Sequence, residues 1–280
     1  SPLLPLTHDQ AKALRSALSE DWECEVFISM RYWNPRSDVT IKAIKQFAPD
    51  HIIALPLYPQ FSTTTTGSSF TDWKRACQAA GLDIPTHYLC CYPTQEDFVA
   101  AYAALILPHY EKAKAYGSPR ILFSAHGLPE KIVKKGDPYQ WQVEQTAKAV
   151  VQTLGLTGLD WQVCYQSRVG PLTWIGPATD AEIIRAGEEG VPVVVAPISF
   201  VSEHSETLVE LDIEYGKLAR EHNVPHYERA PAVGDNPQFI SGLAKLCHQA
   251  YGNANGAIEP DGSKRLCPQT FGQCLCRNLL

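Results

Sequence analysis

Short apolar runs alternate with longer amphipathic segments along most of the chain. The apolar runs, rich in Val, Ile, Leu and aromatic residues, predict strands over residues 25–32, 51–57, 86–91, 120–125, 161–165, 191–198 and 225–230. The amphipathic segments predict helices over residues 8–19, 37–47, 68–80, 95–116, 138–154, 181–187, 203–221 and 237–251. Strands that alternate with helices are typical of βαβ units. The pattern therefore predicts an α/β fold with parallel sheets flanked by helices.

The long helix predicted over residues 95–116 separates the strands into two groups, which indicates two lobes. We place an N-terminal lobe at residues 1–112 and a C-terminal lobe at residues 113–250. Residues 251–280 are rich in turn formers and cysteine and poor in periodicity, so they predict an irregular tail. Residues 1–6, SPLLPL, are expected to form a loop.

The segment 191–215 carries the strongest pattern. Its valines 193–195 predict a strand buried on both faces. Four glutamates share one face of the helix predicted after it: Glu203, Glu206, Glu210 and Glu214. A solvated helix face would explain this stripe, but carboxylates four residues apart repel one another and no Lys or Arg is interleaved. Because ligands bind beyond the carboxyl ends of strands in open α/β sheets, we expect a site for a cation or protons.

Composition narrows the class of protein. The 280 residues are 45% apolar and 19% charged, as in ordinary globular proteins, and the net charge is −6. This charge argues against non-specific nucleic-acid binding. No apolar run approaches the roughly 18 residues of a membrane span, and no segment resembles a signal peptide. We expect a cytoplasmic protein without a nucleic-acid partner; composition leaves a peripheral contact with the inner membrane open.

Nine cysteines are many for a cytosolic protein. Cys267, Cys274 and Cys276 crowd the end of the chain, and Cys90 and Cys91 form an adjacent pair. A secreted disulfide scaffold is not expected at this length without a secretion signal. The cysteines therefore favour a metal or iron–sulfur site.

His126 lies at the carboxyl end of a predicted buried strand, in FSAHGLP. A lone histidine is usually structural, but this position faces the cleft expected between the lobes. Glu206 is expected at the end of another strand of the same lobe. An imidazole and a carboxylate together can accept protons near neutral pH or ligate a divalent first-row metal.

Aromatic residues at other strand ends indicate a large planar ligand. They occur in RYW at 31–33, YPQF at 58–61 and QSRVGPLTWIGP at 166–177. These rings either cap the core or form a flat apolar wall for a ligand, whose carboxylates Arg31 or Arg168 could meet. STTTTGSS at 62–69 could bind an anion before a helix, but without the Lys of a P-loop it does not indicate a nucleotide site.

Six segments together resemble the ferrochelatase family: EVFISMRYW, YPQFSTTTTGSS, FSAHGLP, KKGDPY, VCYQSRVGPLTWIGP and PISFVSEHSETLVELDIEY. The resemblance covers nearly the whole chain. It implies two Rossmann-like lobes with a porphyrin cleft between them. It also implies insertion of Fe²⁺ into protoporphyrin IX to form protohaem, with release of two protons, as the last step of haem synthesis.

The resemblance also implies roles for individual residues. His126 and Glu206 match the catalytic pair and would contact the Fe²⁺ substrate. Glu203 and His204 match positions beside that pair. Glu210 and Glu214 match the acidic row that leads from it along the helix. The cleft-lining positions match Arg31, Tyr32, Trp174 and Phe200.

The two ends of the sequence differ from the commonest family pattern. Family members open with a strand, a glycine-rich turn and a lip segment before the SPL at which this sequence starts, so we expect an incomplete first sheet and cleft wall. The tail resembles that of bacterial members with a [2Fe–2S] cluster. Three ligands would be Cys267, Cys274 and Cys276, and Cys91 is preferred over Cys90 as the fourth. A structural Zn²⁺ held by four thiolates remains an alternative.

Three other functions remain open on the sequence alone. The nearest alternative is a chelatase for another metal or tetrapyrrole, such as Co²⁺ or coproporphyrin. A more distant one is a non-catalytic protein that binds haem or iron, or an iron–sulfur sensor built on the tail.

Overall fold

Two parallel sheets organise the chain in the computed structural model, which describes residues 1–252, 258–259 and 265–278. The first sheet has the order β1-β2-β7, with strands Ile52–Ala54, Thr86–Leu89 and Ile258–Glu259. The second has the order β4-β3-β5-β6. Numbered along the chain, its strands are β3 Arg120–His126, β4 Asp160–Gln166, β5 Val193–Pro197 and β6 Tyr227–Arg229.

Helices flank both sheets, which confirms the predicted α/β fold. In chain order they are α1 Leu3–Leu18, α2 Ser37–Phe47, α3 Ser68–Ala80, α4 Glu96–Ala113, α5 Glu130–Val133, α6 Tyr139–Leu154, α7 Thr179–Glu189, α8 Tyr215–Glu221 and α9 Pro237–Gly252. Two π-helical segments span Thr63–Gly67 and Glu206–Glu214. Two short 3₁₀ segments span Lys114–Tyr116 and Leu275–Asn278.

The centre of the second sheet is buried on both faces, because β5 is apolar at every position and β3 is apolar over residues 121–123. On β3, Ile121 and Phe123 join a core cluster to which α4 and α6 contribute. Leu122 points to the opposite face and packs in a cluster with Ile183 of α7 and Leu211. All of these side chains are fully buried. Truncation of one of them to Ala costs about 2–5 kcal/mol in such a setting, so the sheet is a rigid base for the residues at its edge.

Two predicted elements at the start of the chain are wrong. Residues 1–6 were expected to form a loop, but α1 begins at Leu3. Residues 25–32 were expected to form a strand, but no strand is assigned there. Their polar groups are used locally: the carbonyl of Ile28 accepts from the Thr40 hydroxyl at 2.7 Å, and the amide of Met30 donates to the carbonyl of Pro35 at 2.7 Å.

The helix predicted over residues 203–221 is also different. Its first part is the π-helix Glu206–Glu214, and the regular helix α8 follows only from Tyr215. The amide of Tyr215 donates to the carbonyl of Glu210, five residues earlier. Since this wider turn changes the angle between successive residues, the glutamates do not form the stripe that a regular helix predicts.

The division of the chain into two lobes stays a prediction, and the packing of helix α9 crosses the predicted boundary. Helix α9, assigned by sequence to the second lobe, packs against α1, α4 and strands β1 and β2. Part of the tail also returns to the first sheet, because β7 pairs with β2 through Tyr88 and Ile258.

Candidate active site and cysteine group

The site lies where neighbouring strands of the second sheet end. His126 is the last residue of β3 and pairs in register with Gln166, the last residue of β4. Strand β5 ends at Pro197 on the other side of β3. The segment after β5 leads to His204 and the π-helix. The ends of three strands therefore place an imidazole, a polar loop and a row of carboxylates at one edge of the second sheet, where ligands bind in other open α/β sheets.

His126 and Glu206 are in direct contact. Nδ1 of His126 lies 2.7 Å from Oε2 of Glu206. The two side chains are 46% and 37% exposed, so the pair is open to a ligand. Because the carboxylate accepts from Nδ1–H, the Nε2 atom of a neutral His126 is left as a proton acceptor. The hydroxyl of Tyr139 donates to the backbone carbonyl of His126 at 3.0 Å and fixes the end of the strand.

The electrostatics of the site favour an ionised Glu206 carboxylate and a neutral His204. Burial alone raises the pKa of Glu206, but the hydrogen bond from His126 and the nearby histidines outweigh it and lower this pKa overall. Burial lowers the pKa of His204, whose Nδ1 accepts from the amide of Glu206 at 3.1 Å. His204 therefore remains neutral at pH 7 and orients the start of the π-helix.

Ser167 joins Glu206 to Glu210. Its hydroxyl lies 2.6 Å from Oε2 of Glu210 and 3.4 Å from Oε2 of Glu206, and its amide donates to Oε1 of Glu210 at 2.7 Å. Gln166 and Tyr215 also donate to the Glu210 carboxylate, at 3.1 and 3.0 Å. Ser167 has a φ of +58°, an unusual conformation that aims both its donors at the π-helix. No role was predicted for Ser167, although its position at a strand end was a signal.

The other two glutamates of the predicted row have different surroundings. Oε1 of Glu203 lies 2.5 Å from the guanidinium of Arg229 and accepts from the amide of Ala232 at 2.9 Å. Glu214 is exposed. The structure thus brings Glu206 and Glu210 together, while Glu203 is held by a cation that lies far away in the sequence.

Three residues that precede α3 in the chain, Arg31, Tyr32 and Tyr58, lie near one another. The pKa of Tyr58 is raised by burial, then by the charges of Tyr32 and Glu206, against an opposing effect of Arg31. The guanidinium of Arg31 lies 5.0 Å from the centre of the Tyr32 ring and donates to Ser68 at 2.8 Å. The Tyr32 ring is 60% exposed. Glu206 is thus near enough to Tyr58 to raise its pKa, and the contact of Arg31 and Tyr32 with a porphyrin stays a prediction.

The two predicted aromatic residues of the second lobe flank the histidines. A Cβ on Gly127 would lie 2.9 Å from the carbonyl of Gln166 and 3.3 Å from the Trp174 ring, so only glycine lets this ring approach the end of β3. The Phe200 ring is largely buried and packs edge-on against His204, with centroids 4.8 Å apart. Trp174 is half-buried. Their contact with a porphyrin stays a prediction.

The tail cysteines meet the Cys90–Cys91 pair. The sulfur atoms of Cys90, Cys274 and Cys276 all lie within 4.8 Å of one another, and all three side chains are buried. Cys267 lies beside Cys274 and, with Cys276 and Cys90, lowers the pKa of its thiol. The closest group thus contains Cys90, whereas the sequence preferred Cys91, whose sulfur accepts from the Gln142 side chain at 3.3 Å.

Helix α6 and the segment before it carry two structural residues that the sequence did not single out. The carboxylate of Asp137 is fully buried and accepts from the Thr63 amide at 2.7 Å and the Ser62 hydroxyl at 3.0 Å. Gln142 accepts from the amide of Phe61 at 2.7 Å. These hydrogen bonds hold the STTTTGSS loop in place. The Thr63 amide is used by Asp137, so it is not available to bind an anion.

Parallel sheets whose strand ends gather a histidine and carboxylates, in a chain that also groups buried cysteines, indicate a metal-handling α/β protein of the chelatase type. The ferrochelatase family model matches residues 1–251. The chain is 50% identical to the ferrochelatase of Caulobacter vibrioides over 280 residues, which cover 99% of this chain and 79% of that protein. It is 45% identical to the ferrochelatase of Pelagibacter ubique over 283 residues, which cover 99% and 80%. The chain belongs to the ferrochelatase family, as the sequence predicted.

Solved structures support the fold. SirB from Bacillus subtilis, in a structure with Fe³⁺, matches with a TM-score of 0.62 at 16% identity, over 91% of this chain and 93% of that chain. DR2241 from Deinococcus radiodurans, described as similar to chelatases, matches with a TM-score of 0.57 at 14% identity, over 91% and 53%. Among the described residues, none of the helices has the length and apolar character that crossing a membrane requires.

Proposed function

We propose that the protein inserts Fe²⁺ into protoporphyrin IX to form protohaem, releasing two protons. Membership of the ferrochelatase family makes it an enzyme that inserts a metal into a porphyrin. The observation that supports the residue assignment is the 2.7 Å contact between His126 and Glu206 at the exposed edge of the second sheet.

His126 is the proton acceptor in this proposal. A porphyrin must lose two N–H protons as the metal enters, and Nε2 of a neutral imidazole can take a proton near pH 7. Glu206 then stabilises the imidazolium through Nδ1–H. The carboxylate is already ionised because its pKa lies below the usual range, so no second proton transfer is needed at this step.

Glu210 and Ser167 provide the next step for the proton. The Ser167 hydroxyl lies between the two carboxylates, 3.4 Å from Glu206 and 2.6 Å from Glu210, so a proton that reaches Glu206 can pass to Glu210 through it. Glu214 is exposed and continues the row of carboxylates beyond Glu210. Glu203 is not part of this proton path, because its charge is neutralised by Arg229. Entry of hydrated Fe²⁺ along the same carboxylates is compatible with this geometry.

Aromatic residues and Arg31 hold the porphyrin. Tyr32 offers an exposed ring on the first lobe, and Trp174 and Phe200 flank His126 and His204 on the second. Gripping a planar ring between such surfaces can bend it, so that the pyrrole nitrogens tilt towards the metal. Arg31 would pair with a propionate.

We propose that the cysteine group holds a [2Fe–2S] cluster. The donor set fits, because Cys90, Cys274 and Cys276 form a close group of buried thiols, Cys267 adds a fourth beside Cys274, and thiolates are the ligands of such clusters. Cys90 replaces the predicted Cys91 in this set because its sulfur lies in the close group. The cluster would supply a redox-active cross-link that fastens the tail. Four thiolates also suit Zn²⁺, and an absorbance spectrum distinguishes the two.

The test measures binding and insertion separately. Purified protein is mixed anaerobically with protoporphyrin IX in detergent, and porphyrin fluorescence gives the affinity. Addition of Fe²⁺ then gives the insertion rate from haem absorbance, with Co²⁺ and coproporphyrin as alternative substrates. We expect turnover with Fe²⁺ and protoporphyrin IX. Tight porphyrin or haem binding without turnover for any metal would instead support a non-catalytic binding protein. Peripheral membrane contact stays a prediction, which flotation with lipid vesicles can test.

A further inference from the structure

Arg229 on β6 contacts the π-helix that carries Glu206 and Glu210 and also the segment just before that π-helix. One guanidinium nitrogen lies 2.5 Å from Oε1 of Glu203, just before the π-helix. The other two donate to both oxygens of Asp212, inside the π-helix, at 2.7 Å each. The Arg229 side chain is 12% exposed. A bidentate arginine of this kind fixes the direction as well as the distance of its partners.

A second residue on the same face of β6 supports the same element. Tyr227 lies two residues before Arg229, so the two side chains share one face of the strand. Its hydroxyl donates to the carbonyl of Leu211 at 2.7 Å, one residue before Asp212. Both residues are fixed to the sheet, because Tyr227 and Arg229 pair in register with Val193 and Val195 of β5.

The π-helix needs such support. π-Helical turns are rare and mostly a single turn long, because their hydrogen bonds are less favourable than those of an α-helix. Here π-helical geometry extends from Glu206 to Glu214. A relaxation to a regular helix would rotate Glu206 and Glu210 relative to each other and away from His126 and Ser167.

We propose that Arg229 is a positioning residue that clamps the π-helix between Glu203 and Asp212 and so holds the Glu206 carboxylate against His126. It does not touch the substrate. Glu203, predicted as a member of the acidic row, serves as an anchor of this clamp. The inference rests on the proposed roles of His126 and Glu206.

The test uses Arg229→Lys, which keeps the charge but loses the planar fork, and Asp212→Asn, which weakens the exposed end of the clamp. The matched control is Arg185→Lys, since Arg185 also bridges two carboxylates, Glu182 and Glu189, but on helix α7. Insertion is measured with the whole protein for kcat, the KM for protoporphyrin IX and the pH profile. Circular dichroism and thermal melting confirm that each variant is folded.

We expect kcat to fall about 10-fold in Arg229→Lys and about 3-fold in Asp212→Asn, with KM within about 2-fold of wild type. The acid limb of kcat should shift, because the variants weaken the hydrogen bond between His126 and Glu206 that helps to lower the pKa of Glu206. Arg185→Lys should match wild type.

Wild-type kcat and an unshifted acid limb in both folded variants would overturn the clamp. So would an equal loss in Arg185→Lys. If Arg229→Lys does not fold, the Asp212→Asn result alone decides. Failure of the wild type to insert any metal would overturn the proposed function instead, so the two failures are distinguishable.

Discussion

The Ser167 hydroxyl donates to the Glu210 carboxylate over 2.6 Å, and the same residue's amide donates to the other carboxylate oxygen. Ser167, in the loop after β4, therefore donates a hydrogen bond to each of the two carboxylate oxygens of Glu210. This arrangement connects the loop after β4 to the π-helix after β5, and it places a hydroxyl between Glu206 and Glu210.

Replacing Ser167 should slow proton removal without weakening porphyrin binding. Ser167→Gly keeps the amide and accepts the φ of +58°, so only the hydroxyl is lost. We expect kcat to fall about 3- to 10-fold and porphyrin affinity to stay unchanged, measured by insertion rate and fluorescence. Glu210→Gln should lower kcat at least as much, whereas Glu221→Gln, exposed at the end of α8, serves as the control. A normal kcat in both Ser167→Gly and Glu210→Gln would exclude the relay.

The cysteine group predicts which serine substitution removes the cluster. Cys90→Ser, Cys274→Ser and Cys276→Ser should abolish the visible absorbance of a [2Fe–2S] cluster, because their sulfurs form the closest group. Cys164→Ser, in the core of the second sheet, is the control and should retain it. Loss in Cys91→Ser with retention in Cys90→Ser would restore the assignment preferred from sequence.

Gln142 should couple the cysteine group to the first lobe. Its side-chain amide donates to the sulfurs of Cys267 and Cys91 at 3.1 and 3.3 Å, and its oxygen accepts from the Phe61 amide. Gln142→Leu leaves that buried amide unpaired, which costs about 1–3 kcal/mol of unfolding free energy. It also removes the hydrogen bond to Cys267, one of the proposed ligands, so the midpoint potential of a bound cluster should fall. Gln145→Leu on the same helix is the control; equal effects in both variants would contradict a specific role.

Glu228 should make stability depend on pH. Burial opposes its ionisation, but hydrogen bonds from Lys112, His109 and His226 lower its pKa from 4.5 to about 2. A carboxyl whose folded pKa is depressed stabilises the protein above its unfolded pKa and loses this effect as pH falls through the folded pKa. The contribution is about 3 kcal/mol at pH 7 and disappears between about pH 4.5 and 2.

Denaturant unfolding of Glu228→Gln at several pH values measures this effect. The variant should be less stable than wild type at pH 7, and the difference should shrink as the pH falls towards 2. Glu111→Gln, half-exposed beside Lys114, is the control and should change little. A constant difference across this range would show that Glu228 acts by packing and not by its charge.

The sequence was informative where local signals determine structure. Helices α2 and α3 begin and end at their predicted residues, and the predicted strand over 120–125 differs from β3 by one residue. Period and length suffice for such elements because each is buried on a face that its own residues define. The position of His126 at the end of β3 followed from the same reasoning.

The errors arose where tertiary contacts override local pattern. The spacing of Glu203, Glu206 and Glu210 fits a regular helix, but the segment is a π-helix that Arg229 and Tyr227 of β6 contact through Asp212 and Leu211. The choice between Cys90 and Cys91 likewise depends on how the tail returns to the first lobe. Neither contact has a signal within a local window, so neither could be predicted from spacing alone.

The most direct measurement is the single-turnover rate of Fe²⁺ insertion into bound protoporphyrin IX by His126→Ala, with and without added imidazole. If His126 accepts the pyrrole proton, the variant should bind porphyrin normally, insert metal at least about 100-fold more slowly, and recover part of the rate when imidazole fills the space. An insertion rate equal to wild type without imidazole would contradict the central role of the His126–Glu206 pair.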